Sequence, residues 1–302
     1  MLSDIGIKQA MKDGSLVIEP FDEKFLGPCS YDLEIKRVYR VKRSENPFVD
    51  PKDEEEISME RFLETECEAY DGVLVPVRSY IGVSKEKVWS ARYAEITTRS
   101  SAARLGIQTF PLNKIEIANT AEPDHVYFSI STFGTTCEVP TGRRLSQLFV
   151  HSGFPLPRKT LHLGGKIKRY NDGILHPDQN NEACFSQVTV ASGCSYYLKP
   201  REFYLAHTEW LKCPDNAAGM LVKLPEHRLM GQIHLYAPLI SPGSEGHQVL
   251  EIYLAEGLRM KEGQPVCEVE FWPLDQNPQN AYNGKYQGQK GPQTSLFHTE
   301  GA

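Results

Sequence analysis

The chain has no C-x-x-C pair, although it carries seven cysteines, at positions 29, 67, 137, 184, 194, 213 and 267. An odd, scattered set without metal-ligand spacing argues against a disulfide framework and against a structural zinc site. It predicts a reducing, cytoplasmic setting in which each thiol is a small buried apolar residue. An apolar run near the roughly 20 residues of a membrane span is also missing. The opening residues, MLSDIGIKQAMKDGSL, include acids and no long apolar stretch, so they do not read as a signal peptide. There is no excess of positive charge either. A formal net charge of −6 over 302 residues speaks against a wide nucleic-acid footprint but leaves room for a local anion site. What remains is the composition of an ordinary globular protein, 40% hydrophobic and 24% charged.

Helical signals are confined to the beginning, where Ile5, Ile7, Ala10 and Met11 follow the cap candidate Ser3 and precede Gly14. The rest reads as short β runs punctuated by Pro and Gly, such as SYDLEI, SYIGVS, EFYLAH, GMLVKL and QVLEIYL. The acidic excursion VDPKDEEEISMERFLETECEAYDG is read as a solvated loop or short helix. A weak repeat is more informative. PVRSYIGVSKEKVW resembles KPREFYLAHTEWLK, and Arg78 and Arg201 stand 123 residues apart, as do Gly134 and Gly257. The expectation is an all-β chain of two duplicated domains, residues 1–157 and 158–302, joined through the Gly-, Pro- and Lys-rich segment around HSGFPLPRKTLHLGG.

Three stretches are candidates for chemistry. In ITTRSSAARLGI, Arg99, Ser100 and Arg104 offer two guanidinium forks and a hydroxyl, a set suited to a polyphosphate; a surface turn paired with nearby acids is the competing reading, and composition alone favours it. In HQVLEIYLAEG, Glu251 interrupts an apolar strand, sharing a face with Val249 and Tyr253. A buried carboxylate there would be shifted toward acid/base use, whereas a solvent-facing one would mean nothing. The tail YNGKYQGQKGPQTSLF reads as a mobile closing segment, in which Lys285 and Lys290 could neutralise phosphate, or as a disordered end. The triplet His207–Glu209 mimics the H-x-E of zinc deaminases but lacks the downstream P-C-x-x-C, and His207 is read as a strand-end residue.

Taken in order, LSDIGIKQAMKDGSLVIEPF with SYDLEI, then RSSAARLG, then GKYQGQKGP resembles the dCTP deaminase family of the dUTPase superfamily. The motifs span nearly the whole chain; RSSAARLG and GKYQGQKGP are specific and SYDL less so. The length is similar to that of the two-domain members. The resemblance implies two tandem dUTPase-like β-barrel (β-clip) domains with a short N-terminal helix. The first would carry the Arg-Ser-Ser motif, the second the glutamate hairpin and the C-terminal lid.

The resemblance further implies hydrolytic deamination of dCTP to dUTP and ammonia, in pyrimidine deoxynucleotide synthesis, without zinc and with Mg²⁺ carried by the triphosphate. Glu251 would be the general base, Ser100 and Arg104 would line the site with Arg99 in support, and the Ala237 carbonyl would orient the attacking water. Lys285, Gln289 and Tyr282 would close on the nucleotide. A homo-oligomer, with dTTP or dUTP as inhibitor or product, belongs to the same expectation. Each half has kept a different part: the counterpart of Glu251 in HVYFSISTFG is Phe128 or Ser129, and VKLPEHRLMG retains of the Arg-Ser-Ser motif only Arg228 and, in character, Lys223. One composite site follows. Two departures stand out. Ser241 occupies the place of the family's sugar-binding hairpin Asp, where a dUTPase also keeps its water-activating acid, and TSLF replaces the usual Ser-Arg ending. The alternatives are a dUTPase, a bifunctional deaminase–diphosphatase, or a nucleotide-binding module without turnover.

Overall fold

Ser3 starts α1 (Asp4–Lys12): its hydroxyl accepts a hydrogen bond from Gly6 N at 3.1 Å, and Gly14, at φ +77°, turns the chain away at the other end. Ile7 and Ala10 are buried, but Ile5 is exposed, because residues two apart on a helix point to nearly opposite sides. The structure, a computed structural model, describes residues 1–42, 59–76, 78, 80–112, 122–138, 141–191, 193–224 and 237–300. Arg228 and the acidic positions before Met59 lie outside them. Helix is not confined to the beginning: α2 (Met59–Glu66) lies in the acidic excursion and α3 (Ser100–Ala103) in the Arg-Ser-Ser motif. The short-helix reading of the acidic excursion holds for Met59–Glu66, whereas α3 is not legible in the sequence because four residues carry too little propensity of their own.

The architecture is otherwise mainly antiparallel β, with one short parallel pair, Ile174–Leu175 beside Thr136–Glu138. One sheet runs in the order Ala94–Thr98, Arg144–Val150, Tyr31–Val41, Tyr80–Ser90, Asp124–Thr132, Ile107–Pro111. Another runs Phe185–Thr189, Lys166–Tyr170, Phe203–Lys212, Glu245–Tyr253, and a third includes Pro265–Pro273 beside Ala217–Lys223. The repeat seen in sequence recurs in the pairing. Tyr80 faces Ile130 and Phe203 faces Tyr253; Ser146 faces Thr98 and Val269 faces Leu221. Each pair maps onto its counterpart by the same shift of 123 residues. That register settles which residue stands in for Glu251 in the first half. Gly82 faces Phe128 where Leu205 faces Glu251, so the counterpart is Phe128.

The strands Phe203–Lys212 and Glu245–Tyr253 are apolar on both faces because both faces are covered. Tyr204, Ala206, Leu250 and Ile252 belong to a core with Leu161, Ile167 and Val269. Phe203, Leu205 and Val249 turn the other way, into a core shared with Tyr31, Leu33, Phe128, Leu105 and Leu148 of the first half. Ala237 and Phe297 join this shared core. The two halves therefore meet across the side of the glutamate strand that carries Val249.

The cysteines are all free, but only five are buried; Cys184 is half-buried and Cys194 exposed, so the uniform core reading fails for those two. Among the described residues, no helix is long and apolar enough to cross a membrane. Phe128 is fully buried in the shared core, so Phe128→Ala is expected to destabilise the chain by about 3–5 kcal/mol. Urea unfolding would show this as a lower midpoint at unchanged slope.

Candidate active site

The Arg-Ser-Ser motif lies at the end of the Ala94–Thr98 strand. Arg99 is extended, at φ −75° and ψ 147°, and the chain then coils into α3. Ala102 and Ala103 are fully buried, so the turn sits tight against the core, and Gly106 at φ +75° redirects the chain into Ile107–Pro111. In a helical turn, residues three apart share a side. Ser101 and Arg104 therefore share a side, and Ser100, four positions before Arg104, borders the same side.

Arg104 is only 5% exposed. One of its terminal nitrogens donates to Gln289 Oε1 at 2.7 Å and to the Gln293 carbonyl at 3.3 Å; its guanidinium carbon lies 3.7 Å from the centre of the Tyr286 ring. The Arg104 Nε is buried and unpartnered among the described residues. Gln289 passes the connection on, its amide nitrogen donating to the His247 carbonyl at 2.8 Å, on the glutamate strand. The Ser101 hydroxyl is 3.2 Å from the Tyr286 hydroxyl and 3.4 Å from Glu300 Oε1. The half-buried Ser100 hydroxyl makes no hydrogen bond among the described residues.

Beside this turn lies a knot of charge. Arg99 reaches Asp32 at 3.0 Å and donates through both terminal nitrogens to Glu300 at 3.1 Å. Arg144 donates to the same Glu300 at 2.9 Å, and the Lys285 ammonium pairs with it as well as donating to the Leu296 carbonyl at 2.9 Å. Burial pushes the Glu300 carboxyl up, but Arg99 and Lys285 outweigh it and hold it down at about 2. Burial lowers Lys285 and raises Tyr282. For Asp32, burial prevails over the pull of Arg99 and Arg144 and raises its carboxyl. Tyr282 stands close by; its hydroxyl accepts from Tyr286 N at 3.3 Å and its own N–H donates to the Pro242 carbonyl at 2.9 Å.

Glu251 is 2% exposed, which removes the solvent-facing reading of its strand. Its row across the sheet is Lys168, Leu205, Glu251, and the first half places Val38, Gly82 and Phe128 in the corresponding row. The second half thus buries a cation and an anion where the first is apolar. Lys168 pairs with Glu182, which also accepts from Thr294 Oγ1 at 2.9 Å. Ala237 is buried at the start of the hairpin, whose turn Ser241–Ser244 is closed by a 3.0 Å backbone bond.

The tail is packed in the structure rather than loose: Thr294, Ser295 and Phe297 are buried, and the Ser295 hydroxyl donates to the Ser101 carbonyl at 2.8 Å. Of its two lysines only Lys285 enters the charge knot. Lys290 lines a separate cavity of about 380 Å³ with Lys166, His207, Trp210 and His247. His207 is not at a strand end but beside the bulge between His207 and Trp210. Its Nδ1 lies 2.6 Å from His247 Nδ1. Among the described residues, no group of three His, Cys, Asp or Glu side chains is placed to hold a metal ion.

The sequence reading missed Asp32, Ser101, Arg144, Tyr286 and Glu300. A signal existed for Ser101 and Tyr286, which lie inside the two specific motifs. Asp32 lies inside the less specific SYDL motif, and Arg144 is brought beside it by sheet pairing.

The fold is all-β and dUTPase-like. It superimposes on the crystal structure of 2′-deoxycytidine 5′-triphosphate deaminase from Agrobacterium tumefaciens with a TM-score of 0.72 at 19% identity, over 90% of this chain and 98% of that one. The dCTP deaminase-like family profile matches residues 1–153 and again 159–274, and the chain belongs to that family of enzymes. Similar proteins include those named "dCTP deaminase, dUMP-forming" from Persephonella marina, 30% identical over 45% of this chain and 78% of its own length, and from Aquifex aeolicus, 28% identical over 46% and 78%.

Burial lowers the pKa of His207 to about 4, with His247 adding to the effect, against an ordinary value of 6.5. The folded-state value is the lower one, so the unfolded chain takes up the proton first. Stability is lost as pH falls from 6.5 toward 4, at up to about 1.4 kcal/mol per pH unit. His207→Gln is expected to flatten this part of the curve, which urea midpoints for parent and variant at pH 7.5 and 5 would measure.

Proposed function

We propose that the chain hydrolyses dCTP to dUTP and ammonia at one composite site, built from the Arg-Ser-Ser turn of the first domain, residues 1–157, and the glutamate strand and tail of the second, 158–302. The observation that carries this reading is the interlock of Arg104, Gln289 and His247. It ties the anion-binding turn to the strand that buries Glu251.

In this mechanism water, too weak a nucleophile at neutral pH, is held by the Ala237 carbonyl and gives its proton to Glu251 as it attacks C4 of the cytosine. Glu251 passes that proton to the ring nitrogen, then takes the second proton from the hydroxyl now on C4 and gives it to the amine; the C4–N bond breaks, the ring nitrogen keeps its proton, ammonia departs and the 4-oxo base remains. General acid–base transfer of this kind contributes about 10²–10⁴-fold. Ser100 and Arg104 stabilise charge developing on the base and hold phosphate. Arg99, Tyr282, Lys285 and Gln289 bind the nucleotide and exclude solvent as the tail closes.

The base chemistry runs through Glu251 and needs no protein-bound zinc. Mg²⁺ would be held by the triphosphate's oxygens, which suits a site whose charged side chains are mostly cationic. It would neutralise phosphate charge there. Homo-oligomer formation, inhibition by dTTP and a cytoplasmic setting go with this reading.

A second reading, release of dUMP, is favoured by the names of the curated relatives. Against it stands Ser241, with no carboxylate to activate a second water. Product analysis decides. The expected outcome is ammonia and dUTP from dCTP without pyrophosphate, and a drop of about 10²–10⁴-fold in Glu251→Gln. Ammonia release at the parent rate in that variant would defeat the assignment. Pyrophosphate released in step with ammonia would establish the second reading instead.

A further inference from the structure

We propose that the Glu300 carboxylate occupies the seat of the nucleotide's terminal phosphate, and that Arg144 completes this seat together with Arg99 and Lys285. The inference rests on the dCTP reading and assigns the far end of the substrate within it.

Glu300 draws in cations from three separate parts of the chain: Arg99 ahead of α3, Arg144 on the Arg144–Val150 strand and Lys285 in the tail. The Ser101 hydroxyl approaches the same carboxylate. A ring of guanidinium forks, an ammonium and a hydroxyl around one small anion is what a phosphoryl group requires. The other acid in the knot, Asp32, is held near the start of the Tyr31–Val41 strand by pairing opposite Gln147. Glu300 instead follows a single short turn, Phe297–Thr299, closed by backbone bonds from Thr299 N to the Leu296 carbonyl at 3.1 Å and from Glu300 N to the Phe297 carbonyl at 2.9 Å. It is the exchangeable partner of the two. With Glu300 in place, three cations meet two carboxylates; with it displaced, three meet one, and an incoming phosphate restores the balance.

The seat also has an entrance. A cavity of about 350 Å³, lined by Lys24, Phe25, Glu34, Arg143, Arg144 and Glu300, opens onto it. Lys24 and Arg143 add positive charge at its rim, though each has an acid nearby, Asp22 and Asp178. Glu300 stays ionised at neutral pH, as a stand-in for phosphate must.

The test is calorimetric titration of the full chain with inorganic tripolyphosphate, which carries no base or sugar and so reports on the seat whether or not dCTP is turned over. Glu300→Gln is expected to bind tripolyphosphate about tenfold more tightly than the parent, and Arg144→Gln about tenfold more weakly. A chain ending at Thr299 should behave like Glu300→Gln, which guards against a local effect of the glutamine. In the parent, tripolyphosphate should also expose the segment after Ser295 to limited proteolysis. Equal or weaker binding by both Glu300→Gln and the shortened chain would overturn the proposal, as would unchanged affinity in a folded Arg144→Gln. Failure of dCTP turnover with these affinities intact would count against the deaminase reading alone.

Discussion

Arg104 carries a charge that burial leaves almost no water to solvate, and the arrangement of the site follows from how that charge is accommodated. Its partners, Gln289, Gln293 and the Tyr286 ring, all come from the tail. A buried guanidinium deprived of partners is strongly destabilising, typically by about 3–5 kcal/mol. The position of the Arg-Ser-Ser turn and the docking of the tail are therefore one event. Gln289 can serve Arg104 only because its amide nitrogen is satisfied by the His247 carbonyl. Gly246 makes that approach feasible: a Cβ there would lie 2.9 Å from Gln289 N. A constraint on one cation thus extends through a side-chain amide to the strand that bears Glu251.

The two copies of the repeat share a scaffold and differ in what they bury. Their ladders coincide at a constant shift, yet Val38, Gly82 and Phe128 form an apolar row where Lys168, Leu205 and Glu251 form a charged one. Burying a carboxylate is expensive unless the surroundings provide for it. The first copy uses this row for core packing, with Val38 and Phe128 buried. The second keeps the ionisable pair, and Lys168 is in turn compensated by Glu182 and the tail's Thr294.

Much of this was legible in the sequence, but unevenly. Glu251 stood out because a carboxylate within QVLEIYL breaks a pattern, and the duplication could be read from spacing. The serine was harder. Arg104 stands three residues after Ser101 and four after Ser100, so the coil of α3 brings both serines to its side, and Ser101 is the one that meets the Tyr286 hydroxyl. The sequence could not choose because a four-residue helix has too little propensity signal of its own. Ile5 failed for a related reason, since an apolar residue two positions from another cannot share its helical face. Placing Arg144 beside Asp32 needed the pairing of strands more than a hundred residues apart, Gln147 opposite Asp32, which no local pattern reports. The tail looked loose by composition because its order comes from polar contacts to other segments.

A protein of net charge −6 that receives a polyanion must concentrate positive charge locally without leaving it bare. Cations on the rim of a cleft could be left to water. Those of this site are mostly covered by the chain: Arg99, Arg144 and Lys285 are each no more than 20% exposed along the side chain. Covering strengthens their pull on an anion by lowering the local dielectric, and equally raises the penalty of leaving them unpaired. The fold resolves this by dividing the compensation. Asp32 neutralises part of the charge permanently from within a strand. Glu300, on the same tail that holds Arg104, neutralises a further part from a position that few backbone bonds secure. The segment that encloses the turn is thereby also the segment that balances its charge.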